Sequence, residues 1–249
     1  MKYKGAASVR SGWPETLIIP YGIDALPTGT GPLPARPSPP YPCEVIDTGA
    51  RKVLRLNNSR HVAAGASAPA GRGGEPFAAI KEQLIAWCGP WNGLCRRFLE
   101  HYFAAVEGAI ETAREELSRR LAPFEGLFTY RDWRFSAPKP LPRALLPLPT
   151  HEGGSPGSAD THVRVEIAFW LGDRLIAVQS EPSPLTPRLA AEQKARLAAA
   201  GVACVGFSAA DLAGDAALIE RILGELWPAF WSGETLPAGP FRPEVPRPF

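Results

Sequence analysis

Apolar residues occupy every second position from Val163 to Leu171, which predicts a strand with one buried face. A glycine–aspartate turn leads to a second apolar run, which predicts a strand that ends at a pair of prolines. Glu166 lies in the first strand, whereas Gln179 and Glu181 share one side of the second. Because paired strands bring such positions together, these three polar side chains are candidates for one functional site.

The same patterns predict helices on both sides of these strands. The predicted elements after residue 75 are helices over 76–88, 91–121, 188–201 and 215–231, and strands over 127–135, 161–172, 174–182 and 202–207. Residues 136–150 hold too many prolines for a strand, which predicts an extended loop. A helix between the last two strands predicts a parallel crossover. The fold class is therefore α/β, with a small mixed sheet flanked by helices.

Proline and glycine divide the 249 residues into segments, because most of the 28 prolines lie in discrete blocks. Residues 1–74 are predicted to be a Pro/Gly-rich N-terminal extension with short strands, including one over 17–23 and a hairpin over 44–57. Residues 75–126 form a helical segment, and residues 127–226 form the α/β core. Residues 227–249 form a proline-rich C-terminal tail.

Composition excludes several classes of protein. The net charge of +2 is too mild to indicate nucleic-acid binding by itself. Four cysteines without a C-x-x-C pair argue against a zinc knuckle and against a disulfide scaffold. The chain has no signal-peptide pattern, no long apolar run, no Walker loop and no nucleophile elbow. We therefore expect a soluble protein in the reducing cytoplasm, without a membrane partner.

The predicted order resembles the core of the PD-(D/E)XK superfamily, the restriction endonuclease-like nucleases, over roughly residues 99–226. That family has an α-β-β-β-α-β core with an acid on the second strand, where Glu166 stands in RVEIAF. On the next strand the family places an acid, any residue and a lysine after three apolar positions. Here Ile176-Ala177-Val178 precede Gln179-Ser180-Glu181.

The resemblance implies a DNA endonuclease that hydrolyses phosphodiester bonds with Mg²⁺ or Mn²⁺. Glu166 and Glu181 would bind the metal ion, and Gln179 would be an auxiliary ligand. Gln179 stands where the family has an acid, and Glu181 stands where it has lysine. Lys194 on the next helix is the candidate replacement for that lysine.

Each candidate also has a purely structural interpretation. Glu166 is a solvated strand residue if its face is outside the core, Glu181 marks a strand end, and Lys194 is an ordinary helix lysine. Glu111 or Glu115 would supply the acid that family members often carry on the first helix. Their row is also typical of a solvated helix face paired with arginines.

A cluster of cations precedes the core strands. Arg131, Arg134, Lys139 and Arg143 are interleaved with aromatic residues and are candidates for contacts to DNA phosphates. The same residues would equally suit a surface between prolines.

Three functions follow from these patterns. The first is a metal-dependent DNA nuclease. The second is a catalytically degenerate protein of the same fold that acts as a nucleic-acid-binding or assembly subunit, with the proline-rich N-terminal region contacting a protein partner. The third is an unrelated α/β protein that acts in protein–protein interaction.

Overall fold

The computed structural model describes residues 16–22, 42–47, 54–56, 76–90, 92–126, 128–148, 162–171, 174–181 and 187–213. The final helix predicted over 215–231 and the proline-rich tail lie outside the described residues.

Two short strands of the N-terminal region pack against the rest of the protein. Strand β1 (Thr16–Pro20) pairs antiparallel with β2 (Cys43–Asp47), so the strand predicted over 17–23 is confirmed. The predicted hairpin over 44–57 differs, since β2 pairs with β1 and Arg55 forms a bridge with Pro138. Leu17 and Ile19 are fully buried in the same hydrophobic cluster as the core.

Three helices follow, α1 (Pro76–Ala86), α2 (Gly93–Thr112) and α3 (Arg114–Leu121). The long helix predicted over 91–121 is therefore two helices, separated by Ala113. The buried stripe of α2 keeps the predicted spacing of three and four residues and consists of Cys95, Phe98, Leu99, Tyr102, Phe103, Val106 and Ile110. Within the described part of the chain, no helix is long and apolar enough to cross a membrane.

The strand predicted over 127–135 is wrong, because this segment contains a 3₁₀ helix at Tyr130–Ser136. The carboxylate of Asp132 accepts hydrogen bonds from the backbone N–H of Thr129 at 2.7 Å and from its hydroxyl at 3.0 Å. This local capping arrangement favours a helical start over an extended chain. The alternation of apolar residues is therefore not a strand signal here.

The loop predicted over 136–150 is also wrong, because Leu141–Pro147 forms strand β3. In the described part of the chain, β3 lies at one edge of the four-stranded sheet, where a proline that lacks an N–H group leaves no ladder position empty. The carbonyl of Pro142 accepts a hydrogen bond from Gly22 N at 2.7 Å. The outer side of β3 therefore contacts the residue that follows β1.

The remaining elements confirm the predicted order. Strands β4 (His162–Trp170) and β5 (Leu175–Ser180) precede helix α4 (Pro187–Ala199), strand β6 (Ala203–Phe207) and the short helix α5 (Ala209–Ala213). The sheet has the order β3-β4-β5-β6, with antiparallel pairing except between β5 and β6. The parallel crossover through α4 is thus confirmed, and so is the mixed α/β class.

The two sides of this sheet meet different helices. We call one side the α2 face, and it is formed by Val163, Val165, Ile167, Phe169, Ile176, Val178, Ser180, Val205 and Phe207. Helix α2 covers it, since the rings of Phe98 and Phe207 lie 5.1 Å apart and those of Tyr102 and Phe169 lie 5.4 Å apart. The opposite side, the α4 face, is formed by Ala168, Trp170, Leu175, Ala177, Gln179, Cys204 and Gly206.

Candidate functional site

Glu166 is the centre of a half-buried polar cluster. Its Oε1 atom accepts hydrogen bonds from Asn92 Nδ2 at 3.0 Å and from Ser180 Oγ at 2.9 Å. Its Oε2 atom accepts the backbone N–H of Ser180. We call Asn92, Glu166 and Ser180 the Glu166 cluster.

Asn92 joins this cluster because it is the N-cap of α2. Its Oδ1 atom accepts the backbone N–H of Cys95 at 3.0 Å, which satisfies one of the unpaired donors in the first turn. Its Nδ2 group then points away from the helix and donates to Glu166. Asparagine supplies both an acceptor and a donor at this position, which an aspartate cannot do.

Ser180 meets Glu166 where strands β4 and β5 cease to pair. Their ladder ends at the pair Ile167–Val178, and beyond it the Ser180 N–H donates to a side chain instead of to the backbone of β4. The carboxylate therefore takes the place of a backbone acceptor. It satisfies a backbone N–H that would otherwise be costly to bury.

The neighbouring strand is also irregular at this level. Arg143 stands across from Glu166 in the register of β3 and β4 and has a φ of +51°, which is unusual for a residue with a side chain. Its side chain is buried and lies against Gly89 (φ +80°), where an added Cβ would be 2.7 Å from Arg143 Nη1. The positive φ at position 89 is the reason that glycine is favoured there, since the tip of the arginine side chain could move aside.

Gln179 and Glu181 both lie beside Gly206 of β6. Gln179 pairs with Gly206 on the α4 face. The carboxylate of Glu181 lies over Gly206, in space that a side chain at that position would fill. The structure thus brings Gln179 and Glu181 together with Gly206, whereas the Glu166 carboxylate is held by Ser180 and Asn92 on the side of α2.

Lys194 is exposed on α4, and its charge affects Cys204 on the α4 face. Burial raises the pKa of the Cys204 thiol, and the positive charge of Lys194 partly opposes that rise. Cys204 lies two residues before Gly206 in β6. The predicted replacement lysine therefore lies near Cys204 of β6.

The acidic row on the first long helix is too far from Glu166 to supply a ligand. Glu111 accepts hydrogen bonds from Tyr130 at 3.0 and 3.1 Å and pairs with Arg131 at 3.5 Å. It follows Asn92 by 19 positions, which corresponds to about 28 Å along a helix. Glu115 lies still further along, in α3, and so the solvated and paired interpretation of this row is the correct one.

The four predicted phosphate-contacting cations do not form one surface. Lys139 is buried and paired with Glu44, and its Nζ lies 3.1 Å from Tyr21 Oη. Burial lowers the pKa of Lys139 to about 8, an effect that Glu44 partly offsets. Arg143 is buried as well, so the prediction of surface contacts is wrong for both residues.

The other two cations remain nearer to solvent. Arg131 is exposed and contacts Tyr130 and Glu111. The guanidinium of Arg134 lies 4.8 Å from the ring centre of Phe77, and burial lowers its pKa. Only Arg131 keeps the fully exposed position that a phosphate contact requires.

The residues predicted to hold a divalent cation already have partners within the protein. A carboxylate has about four acceptor sites, and three donors occupy three of those of Glu166. Gln179 pairs with Gly206, and the Glu181 carboxylate lies over that glycine. No group of three or more His, Cys, Asp or Glu side chains suited to a metal ion occurs in the described ranges.

Sequence reasoning identified Glu166 but missed its partners. Asn92 carries a recognisable signal, since it follows a helix-breaking Gly-Pro pair and precedes a helix. Ser180 was passed over because strict alternation puts it on the side of the apolar residues. Cys88 and Cys95 form a thiol pair beside the cluster, and they are seven positions apart in sequence.

Comparison with known proteins identifies no relative of this chain. No protein-family model, no curated protein and no solved structure matches it.

Proposed function

We propose that this protein has a restriction endonuclease-like core that binds nucleic acid without cutting it. The order α2, β3, β4, β5, α4, β6 is the α-β-β-β-α-β order of that core, and the sheet is mixed as the core requires. The proposal corresponds to the degenerate member of the fold, with binding as its remaining role.

The observation that supports the proposal is that protein donors already hold the Glu166 carboxylate, while the Glu181 carboxylate lies over Gly206. A hydrolytic site needs its oxygen ligands at one point, so that a metal ion contacts both the phosphate and the attacking water. Here uncharged donors hold the Glu166 carboxylate on the side of α2. Gln179 moreover contributes no charge to the other face.

Helix α4 offers the cations for binding. Arg188, Lys194 and Arg196 are exposed along it, and Glu192 is the one acid, paired with Arg188 at 3.5 Å. Surface lysines and arginines of this kind contact phosphates without reading sequence. We therefore expect binding that depends on salt and discriminates little between sequences.

Fluorescence anisotropy with a labelled DNA duplex and a labelled single strand tests this proposal. Binding should weaken steeply with salt, and Arg188→Ala/Lys194→Ala should lower the slope of log K against log salt by about one for each lost contact. The matched control is Arg119→Ala/Arg120→Ala, which removes two exposed charges from α3. Absence of salt-dependent binding, or equal loss in both variants, contradicts the proposal.

Metal-dependent DNA hydrolysis is the second candidate. The observation in its favour is that Lys194, Glu181 and Gln179 are associated with one face, as a replacement lysine requires. Incubation of supercoiled plasmid with Mg²⁺ or Mn²⁺ distinguishes the candidates. Cleavage that Lys194→Ala or Glu181→Ala abolishes, in a protein that still folds, supports hydrolysis.

A further inference from the structure

Two buried cysteines lie in contact beside the Glu166 cluster. The Cys95 thiol donates a hydrogen bond to Cys88 Sγ at 3.0 Å, and both residues are almost completely buried. Both thiols are free. A disulfide has an S–S bond of about 2.05 Å, so closing this pair requires the sulfur atoms to approach by only about 1 Å.

We propose that Cys88 and Cys95 are an oxidisable dithiol that closes to a disulfide in the folded protein. The inference is independent of the proposed function. The pair spans the connection between α1 and α2, and Asn92 lies inside the loop that the bond would close. Oxidation therefore acts on the segment that holds Glu166.

The two sulfur atoms have different roles. Cys95 gives its proton to Cys88, and this hydrogen bond, together with burial, holds the pKa of Cys95 above its usual range. Cys88 accepts this hydrogen bond, and we assign the first attack to its sulfur. Two charges act on Cys95 in opposite directions, since Glu166 raises its pKa and Arg143, which lies against Gly89, lowers it.

The oxidant must be small and uncharged, because the pair is closed to solvent. Hydrogen peroxide meets this requirement. The Cys88 thiolate attacks one peroxide oxygen, breaks the O–O bond and, after proton transfer, forms a sulfenic acid and one water molecule. The Cys95 sulfur then attacks the Cys88 sulfur, and the hydroxyl leaves as a second water molecule. Two thiols are oxidised to one disulfide, and one peroxide is reduced to two waters.

Peptide mapping tests the proposal directly, because cleavage after Lys81 and Arg96 releases both cysteines in one peptide, residues 82–96. The starting protein is Cys43→Ser/Cys204→Ser, which retains only this pair. After peroxide treatment of the folded protein, peptide 82–96 should lose two hydrogen atoms and resist alkylation. Dithiothreitol should restore both. The oxidised protein should melt several degrees above the reduced one, since the bond constrains the unfolded chain.

Two results would overturn the proposal. One is that peptide 82–96 is fully alkylated after peroxide treatment, or carries sulfinic acid without a disulfide. The other is that the disulfide forms only in urea. Cys95→Ser is the supporting variant, because after peroxide treatment and unfolding in the presence of dimedone it should carry the label at Cys88, and Cys88→Ser should carry none at Cys95.

Discussion

The carboxylates of Glu166 and Glu181 differ in burial and in their hydrogen-bond partners. On the side of α2, the Glu166 carboxylate is half-buried and accepts hydrogen bonds from Asn92 and from Ser180. On the side of α4, Glu181 is exposed and lies over Gly206. Two carboxylates that alternation predicts at a single site thus occupy separate environments. The comparison shows that Glu166 joins strands and a helix, whereas Glu181 is available to solvent.

The largest expected difference between the faces is in stability. Glu166→Ala removes the acceptor of the Ser180 N–H and of two side-chain donors, so it should lower the free energy of unfolding by about 3 kcal/mol. Glu181→Ala should change it by less than about 0.5 kcal/mol, because surface substitutions rarely cost more. Urea denaturation of both variants measures the difference. Equal costs would mean that the two carboxylates are equivalent and would contradict the comparison.

Asn92 should show a smaller effect that depends on pH. Asn92→Asp keeps the N-cap acceptor but sets a second carboxylate against Glu166, which should cost about 2 kcal/mol at neutral pH. Mutual repulsion raises the folded-state pKa of the pair above the unfolded value, so the cost should disappear as the pH falls and one carboxyl takes up a proton. Asn92→Ser, which caps without charge, is the control. A cost independent of pH would place Asn92 away from Glu166.

Gly206 tests the opposite face. Gly206→Ala would place a Cβ in the space of the Glu181 carboxylate, and since that side chain is exposed it should move aside at a cost of about 1 kcal/mol or less. In the double variant with Glu181→Ala, this part of the cost should vanish. Denaturation of the single and double variants completes the cycle. Additive costs would show that the two residues do not touch.

The smallest effect concerns the Cys204 thiol. Removing the charge in Lys194→Met should raise the pKa of Cys204 further, because the lysine cation favours the thiolate. Iodoacetamide should then alkylate Cys204 more slowly at mildly alkaline pH, and Lys194→Arg should retain the rate of the parent. An unchanged rate of Cys204 alkylation in Lys194→Met would mean that Lys194 does not lie near Cys204.

The order of the core elements could be predicted from sequence, although one strand was assigned to the wrong segment. The apolar alternation of residues 127–135 favoured a strand, but the Thr129–Asp132 capping contacts produce a 3₁₀ helix. The prolines of residues 136–150 argued against a strand, but β3 tolerates them at a sheet edge. The two errors compensate, because one strand precedes β4 in both the predicted and the observed order. That strand is Leu141–Pro147 instead of residues 127–135.

The site itself was less predictable, for a physical reason. Alternation correctly set Gln179 and Glu181 on one side of β5. Alternation could not show that the pairing of β4 with β5 ends at Ile167–Val178 and does not include Glu166. This end of the ladder lets the Glu166 carboxylate turn towards Ser180. The contact with Asn92 spans 74 positions of the chain, and no local pattern records it.

The most direct test of the central claim is plasmid cleavage by the parent protein and by Glu166→Gln in Mn²⁺, with the folded fraction of each measured alongside. If Glu166 serves as a hydrogen-bond acceptor between β4, β5 and α2, neither protein will cut DNA, and the substitution will lower stability alone. Metal-dependent cleavage by the parent that is lost in a fully folded Glu166→Gln variant would contradict the account.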